Sequence, residues 1–162
     1  MKENFEKYFW IPQTSSEDRN YSVESKYINR RGIYKDVLGS TDKYTDYQLR
    51  CNICIAMCYA PDLFNPQHAK ICLENVAEIL MEKDCMGIKT LDPKDRQYNG
   101  DYNNTDLTDG FNYHQGPEWV WPVGFFLKAQ LIFKGYETKE DALLDTMKWL
   151  IPHKKHITTN RW

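Results

Sequence analysis

The sequence contains no hydrophobic run long enough to cross a membrane, and its mean hydropathy of -0.70 is that of a polar chain. Residues 1–10 carry charges throughout and lack the apolar core of a secretory leader. Basic residues are not in excess, because 21 Lys and Arg stand against 23 Asp and Glu, for a formal net charge of -2. These absences predict neither a membrane partner nor a nucleic-acid partner.

The signatures of several common enzyme classes are missing as well. The chain has no G-x-S-x-G nucleophile elbow, no P-loop and no G-x-G-x-x-G segment, so neither a triad hydrolase nor a nucleotide-binding enzyme is predicted. Its five cysteines are an odd number in a sequence without a secretory leader, which indicates reduced thiols and a cytoplasmic protein.

Three of the cysteines, Cys51, Cys54 and Cys58, follow the spacing C-x2-C-x3-C, which a zinc-binding interaction module could use. The alternative is that they lie on one broad face of a helix, where free cysteines pack as small apolar residues. We favour the second interpretation because no second closely spaced pair of cysteines follows, and His153 and His156 have no partnering motif. We therefore expect no metal and no other cofactor.

Hydrophobic periodicity predicts four helices and no strand. The first helix covers residues 42–59, and the second covers residues 66–83 with Asn65 as its cap. The third covers residues 117–133 and the fourth residues 139–151. The inward face predicted for the fourth helix consists of Ala142, Leu143, Met147 and Leu150.

Two long polar segments, residues 11–41 and 84–115, are predicted as loops. Loops of this length are unusual in a helical bundle, but they suit an α-helical toroid that builds a pocket from the ends of its helices. The predicted fold class is therefore all-α with long pocket-forming loops.

Aromatic residues are abundant: 5 Trp, 11 Tyr and 7 Phe make up 14% of the chain. Several fall in the segment DGFNYHQGPEWVW, residues 109–121, beside two carboxylates, an imidazole and two amides. The polar groups can hydrogen-bond to sugar hydroxyls, the rings can stack on a sugar face, and paired carboxylates suit glycoside hydrolysis. The alternative is an aromatic core helix with Pro117 and Glu118 in its first turn.

A second polar cluster occupies residues 46–52. One interpretation is that Tyr47, Gln48, Arg50 and Asn52 line the same pocket. The other is that Asp46 caps the first helix and forms an ion pair with Arg50 four residues later.

Four segments resemble one family, the eukaryotic glycogen debranching enzymes, in their C-terminal amylo-α-1,6-glucosidase region. They are RRGIYKD (30–36), DYQLR (46–50), MGIKTLDP (86–93) and GFNYHQGPEWVWPVGFFLKA (110–129). The likeness covers nearly the whole chain, and the NYHQGPEW segment is its most specific part. One departure is Cys51, which stands where the family has proline.

The resemblance implies an (α/α)6 barrel, or six-hairpin toroid, of which this chain would be a portion. Residues 1–41 would be mostly loop, and residues 42–162 would supply barrel helices and active-site loops. The implied function is glycogen breakdown in the cytoplasm, by hydrolysis of α-1,6-linked glucose beside a 4-α-glucanotransferase activity of the full-length family. The implied partners are glycogen or another branched α-glucan and the remainder of the barrel.

The resemblance also assigns pocket residues. By motif they are Tyr47, Gln48, Arg50, Asn52, Asn112, Tyr113, His114, Gln115, Glu118, Trp119 and Trp121. His114, Gln115 and Arg50 would bond to hydroxyls, and Tyr113 and Trp119 would stack on the sugar. The resemblance places the general acid before this chain and the general base after it, with Glu118 a weak alternative for the base. We therefore expect the isolated chain to be inactive; a non-catalytic glycan-binding or regulatory fragment is the alternative function.

Overall fold

The computed structural model describes residues 1–82, 86–102 and 112–160, and this part of the chain is mostly helical, as predicted. Its helices are α1 (Lys2–Phe9), α2 (Lys43–Asp46), α3 (Asn52–Tyr59), α4 (Pro66–Leu80), α5 (Val123–Phe133) and α6 (Lys139–Asn160). The prediction of no strand is wrong, because two short antiparallel pairs form. These are β1 (Trp10–Ile11) with β2 (Ile33–Tyr34), and β3 (Ile88–Lys89) with β4 (Glu118–Trp119).

Helix α4 begins where local sequence signals predict. The Asn65 side chain accepts hydrogen bonds from the backbone N–H groups of Gln67 (2.9 Å) and His68 (3.4 Å), and Pro66 occupies the first helical position. The apolar stripe of α4 packs against α5 and against β2, with Leu73, Val76 and other side chains fully enclosed. The helix ends at Leu80, so residues 81 and 82 lie beyond it, unlike in the prediction.

The single helix predicted over residues 42–59 is wrong, because α2 and α3 are separate. Asp42 caps α2 by accepting from the backbone N–H of Tyr44 (3.1 Å). Residues 48–50 then run without helical structure, and the Leu49 carbonyl accepts from the backbone N–H of Asp92 (3.1 Å). The Leu49 carbonyl thus bonds to a residue far along the chain instead of to one within a helix. Hydrophobic periodicity within the segment does not reveal such a bond.

The third predicted helix begins late, at Val123 instead of residue 117. Glu118 and Trp119 form β4, in register with Lys89 and Ile88. The prediction that Pro117 and Glu118 occupy a first helical turn is therefore wrong. Because Glu118 lies in a strand, a helix dipole does not stabilise it. From Val123 onward the expected apolar helix forms, and it packs on α3 and α4.

Helix α6 runs beyond the predicted residue 151 to Asn160. Its predicted inward face is largely exposed: Leu143 is 61% accessible, and Met147 and Leu150 are each 38% accessible. Trp149 provides the aromatic contact instead, edge-on to Phe126 with the ring centres 5.4 Å apart. Of the predicted inward face, Leu143, Met147 and Leu150 are therefore exposed in the described structure, and Ala142 is half-buried.

The N-terminal helix is tied to α4 by one carboxylate. Glu6 accepts from the Tyr34 hydroxyl (2.6 Å) and from the backbone N–H of Asn65 (2.5 Å), and it contacts His68 Nδ1 (2.7 Å). The His68 ring stacks on Trp10 at 4.2 Å. Charge-assisted hydrogen bonds of this kind join segments that are distant in sequence. Among the described helices, none is long and apolar enough to cross a membrane.

Candidate functional site

Arg50 joins the two sequence clusters predicted to form a pocket. Its Nη1 donates to the carbonyls of His114 (2.5 Å) and Thr90 (3.4 Å), and its Nη2 donates to Gln115 Oε1 (3.1 Å). Its Nε and Nη2 both donate to Gln48 Oε1, at 3.0 and 2.9 Å. A guanidinium has five N–H groups, and these bonds engage all five. Arg50 therefore holds residues 114–115 in place through the His114 carbonyl and Gln115 Oε1.

Two further side chains of the first cluster extend this network. The buried Gln48 donates through Nε2 to Gln97 Oε1 (2.9 Å). Asn52 donates through Nδ2 to Asp36 Oδ1 (3.0 Å), and Asp36 Oδ2 lies 3.9 Å from Arg50 Nε. Burial raises the pKa of Asp36, although the Asn52 hydrogen bond and the Arg50 charge oppose that rise.

The segment between Asn112 and Gly116 is fixed by backbone contacts. Asn112 is buried and donates through Nδ2 to the carbonyl of Asp101 (2.5 Å), while the Gln115 carbonyl accepts from Asn99 N–H (2.7 Å). Gly116 donates its N–H to Thr90 Oγ1 (2.9 Å) and has φ +147°. These bonds hold both ends of the segment, and the side chains of Tyr113 and His114 between them are exposed.

Aromatic rings line the outer side of the site. His114 lies edge-on to Trp119 with ring centres 4.9 Å apart, and Tyr113 lies 4.4 Å from His114. Trp119 and Trp121 follow at 5.8 Å, and Trp121 is 55% accessible. Accessible rings beside polar groups are suited to the apolar face of a sugar.

Glu118 is held by a lysine on the neighbouring strand. Lys89 Nζ lies 2.8 Å from Glu118 Oε1 and 2.9 Å from Glu82 Oε1. Burial by itself lowers the pKa of Lys89, but the two carboxylates outweigh it and raise that pKa above its usual value. Glu118 is thus engaged as an anionic partner of a buried ammonium.

Tyr47 is the predicted site residue that the structure places elsewhere. It is buried, its hydroxyl accepts from the backbone N–H of Glu24 (2.8 Å), and Lys35 Nζ lies 4.5 Å from its ring centre. Its described contacts are therefore with the N-terminal segment. Asp109 of the second cluster lies outside the described residues.

The structure adds residues that sequence reasoning missed. Asp36, Thr90 and Gln97 contact Asn52, Arg50 and Gln48 in the ways given above. Asp36 and Thr90 lie in the segments RRGIYKD and MGIKTLDP, so the family resemblance offered a signal for both. Gln97 lies in no such segment, and nothing in the sequence singled it out.

Asp46 does not form the predicted ion pair with Arg50. Its carboxylate accepts from the backbone N–H groups of Gly39 (2.8 Å) and Ser40 (3.0 Å) and from the Ser40 hydroxyl. Burial by itself raises the pKa of Asp46, but these hydrogen bonds and the charge of Lys35 outweigh it, so the pKa lies below its usual value. The carboxylate thereby holds residues 39–40 against the end of α2.

We expect Asp46→Asn to lower the free energy of unfolding at neutral pH by about 2 kcal/mol, because an amide accepts these hydrogen bonds less strongly than a carboxylate. Since the folded pKa lies below the unfolded value, the stabilisation is present above the unfolded pKa near 3.8 and is lost as the pH falls through the folded pKa. Urea denaturation over this range should show the two proteins converging in acid. The exposed Asp62→Asn serves as control, and a pH-independent difference would contradict the charge-based explanation.

The cysteines of the C-x2-C-x3-C motif lie in the core. Cys51, Cys54 and Cys58 are buried, as is Cys72 of α4. Burial raises the pKa of Cys51 to about 11 and that of Cys72 to about 12, which disfavours the thiolate that binds metals. Within residues 1–82, 86–102 and 112–160, no group of three His, Cys, Asp or Glu side chains could hold a metal ion. Cys85 lies outside the described residues.

Comparison with known proteins identifies related sequences. The family described as amylo-alpha-1,6-glucosidase matches residues 1–162. The glycogen debranching enzyme of Saccharomyces cerevisiae is 46% identical over 136 residues, which cover 80% of this chain. The matched region is 9% of that relative, so the chain spans a small part of its length.

Proposed function

The chain belongs to the amylo-alpha-1,6-glucosidase family, and we propose that it forms part of the glucose-binding pocket of a glycogen debranching enzyme. The observation that supports this most directly is the Arg50 network, which brings residues 48–52 beside the rings of His114 and Trp119. The proposed reaction of the whole protein is hydrolysis of an α-1,6-linked glucose branch, with 4-α-glucanotransferase activity on the same polypeptide.

The proposed architecture is a six-hairpin toroid to which this chain contributes helices and loops. The proposed compartment is the cytoplasm, in keeping with the unpaired, buried cysteines among the described residues. The proposed partners are a branched α-glucan and the remainder of the barrel.

The contacts suggest distinct roles in glucose binding. His114 and Gln115 would hydrogen-bond to hydroxyls, and Tyr113, Trp119 and Trp121 would present rings to the sugar face. Arg50 would act by positioning, because its N–H groups are engaged with protein acceptors. Gln48, Asn52 and Asn112 would support the same framework.

We further propose that this chain alone binds glucan without hydrolysing it. An inverting glycosidase needs a general acid and a general base with carboxyl groups about 6.5–9.5 Å apart. Glu118 is engaged by Lys89, and Asp36 by Asn52 and Arg50. The acid and base would come from other parts of the whole protein.

Calorimetry with phosphorylase limit dextrin tests the proposal. We expect Trp119→Ala to weaken binding by about tenfold or more, because it removes the ring next to His114. Tyr8→Ala is the matched control, since Tyr8 is 40% accessible on α1, away from this cluster. Equal affinity of Trp119→Ala and the unmodified chain for limit dextrin would contradict the proposed glucose-binding pocket. Measurable glucose release by the unmodified chain would contradict its expected inactivity.

A non-catalytic regulatory glycan-binding role is the second candidate, favoured by the engagement of Glu118 and Asp36 in protein contacts. Mixing the chain with the complementary part of a debranching enzyme separates the two candidates. Restored glucose release supports the pocket role. Binding without any restoration supports the regulatory one.

A further inference from the structure

The Asp36 carboxylate lies beside Arg50 with only one of its two oxygen atoms hydrogen-bonded. Its Oδ1 accepts from Asn52 Nδ2 (3.0 Å), whereas its Oδ2 has no donor within residues 1–82, 86–102 and 112–160. Arg50 Nε lies 3.9 Å from Oδ2, which is beyond hydrogen-bond distance. Because the N–H groups of Arg50 are all engaged with other acceptors, Arg50 contributes charge to Asp36 but no hydrogen bond.

The unpaired oxygen of Asp36 remains in contact with solvent. The Asp36 side chain is 13% accessible. In the described part of the chain, the enclosed side-chain atoms without a partner are Asp95 Oδ2 and Gln130 Oε1, and Asp36 Oδ2 is not among them. An accessible acceptor of this kind is satisfied by water in the free protein, and a ligand hydroxyl that displaces the water can replace its hydrogen bond.

Asp36 borders the same network as the aromatic rings of the candidate site. The Arg50 guanidinium that lies near Asp36 Oδ2 also donates to the His114 carbonyl (2.5 Å). Asn52, which donates to the other oxygen of Asp36, is exposed at the start of α3. The free acceptor and the His114 segment therefore contact one guanidinium, on neighbouring parts of one site.

The charges around the free oxygen favour a neutral hydroxyl as its partner. The carboxylate would repel an anion, and a cation would meet the guanidinium next to it. A hydroxyl avoids both repulsions, and its hydrogen bond to a carboxylate is charge-assisted and so stronger than one between neutral groups. Burial raises the pKa of Asp36, and donation to Oδ2 would oppose that rise by stabilising the ionised form.

We propose that Asp36 is a substrate-binding residue that determines specificity, with Oδ2 accepting a hydrogen bond from a hydroxyl of the branch glucosyl unit. The identity of the sugar rests on the proposed function, whereas the open acceptor is a property of the structure. A sugar that lacks this hydroxyl leaves the carboxylate oxygen without its new partner, and it should bind about tenfold or more weakly. Asp36 contributes binding in this role and transfers no proton.

Isomaltose, in which the glucose units are α-1,6-linked, tests this assignment together with its monodeoxy analogues at the non-reducing unit. Asp36→Asn keeps the size of the side chain and an acceptor for Asn52, but it removes the anionic acceptor. By NMR titration, this variant should bind isomaltose about tenfold more weakly. One monodeoxy analogue should bind the unmodified chain as weakly and lose nothing further in Asp36→Asn, because both changes remove the same hydrogen bond. Asp62→Asn, which removes an exposed carboxylate elsewhere, should leave every affinity unchanged.

Two results would overturn the role of Asp36. One is equal affinity of Asp36→Asn and the unmodified chain for isomaltose. The other is a further loss of the same size for every monodeoxy analogue in Asp36→Asn, since Asp36 would then contact none of the hydroxyls. If Asp36→Asn does not fold, the carboxyl carbon resonance of Asp36 in the unmodified chain decides, because it must shift on titration with isomaltose.

Limit dextrin separates a failure of this assignment from a failure of the proposed function. Binding that is weakened in Trp119→Ala but unchanged in Asp36→Asn would keep the pocket and remove Asp36 from it. No binding of limit dextrin by the unmodified chain would remove both.

Discussion

Arg50→Ala should lower the free energy of unfolding by about 3 kcal/mol and weaken limit-dextrin binding by about tenfold or more. The alanine leaves the buried Gln48 Oε1 without its two donors from Arg50 and removes the bonds to the His114 carbonyl and Gln115 Oε1. Arg50 is itself only 13% accessible, so water replaces these bonds poorly. Urea denaturation and calorimetry measure the two effects.

Two companion variants show which property of Arg50 matters. Arg50→Lys keeps the charge near Asp36 but lacks the planar fork that reaches Gln48, His114 and Gln115 together, so it should recover little of the binding. Arg19→Ala removes an exposed arginine of the N-terminal segment and should leave both quantities unchanged. If Arg50→Lys binds as tightly as the unmodified chain, the charge explains the effect and the positioning role is wrong.

Local sequence signals are sufficient to predict the start of an element when the residues that determine it are adjacent in sequence. Helix α4 is such a case, because the Asn65 cap and Pro66 are adjacent to the turn that they start. The break between α2 and α3 depends instead on Asp92, and the strand that holds Glu118 depends on Lys89. Periodicity within one segment contains no information about such distant partners.

The residues of the candidate site also fall into those that the sequence predicts and those that depend on distant contacts. The clusters around Arg50 and His114 were found from their residue types, and the structure joins them. Tyr47 is adjacent in sequence to the other residues of its cluster, yet its side chain contacts Glu24 and Lys35 instead of the site. Gln97 could not be found, since its contact with Gln48 spans 49 positions and belongs to no recognisable motif.

Gly116→Ala should be the most damaging single-methyl change, lowering the free energy of unfolding by about 4 kcal/mol. At φ +147° an L side chain is strained, and an added Cβ would lie 2.6 Å from the Asn99 carbonyl oxygen and 2.7 Å from the Tyr98 ring. Since two of the atoms that it meets are backbone atoms of Asn99, the segment itself must move. That movement would disturb the Thr90 contact and displace His114 and Gln115, so glucan binding should be lost as well.

Gly124→Ala provides a matched control for the same chemical change. Gly124 lies inside α5, and nothing approaches within 4 Å of a Cβ built there, so alanine should stabilise the chain by about 0.5–1 kcal/mol through its higher helix propensity. Urea denaturation of both variants and calorimetry with limit dextrin make the comparison. If the two substitutions change the free energy of unfolding in opposite directions, the loss in Gly116→Ala comes from the backbone at residue 116. Equal stability of the two variants would mean that the backbone at Gly116 is free to move. The claim that the NYHQGPEW segment is held rigidly, on which the proposed pocket depends, would then be wrong.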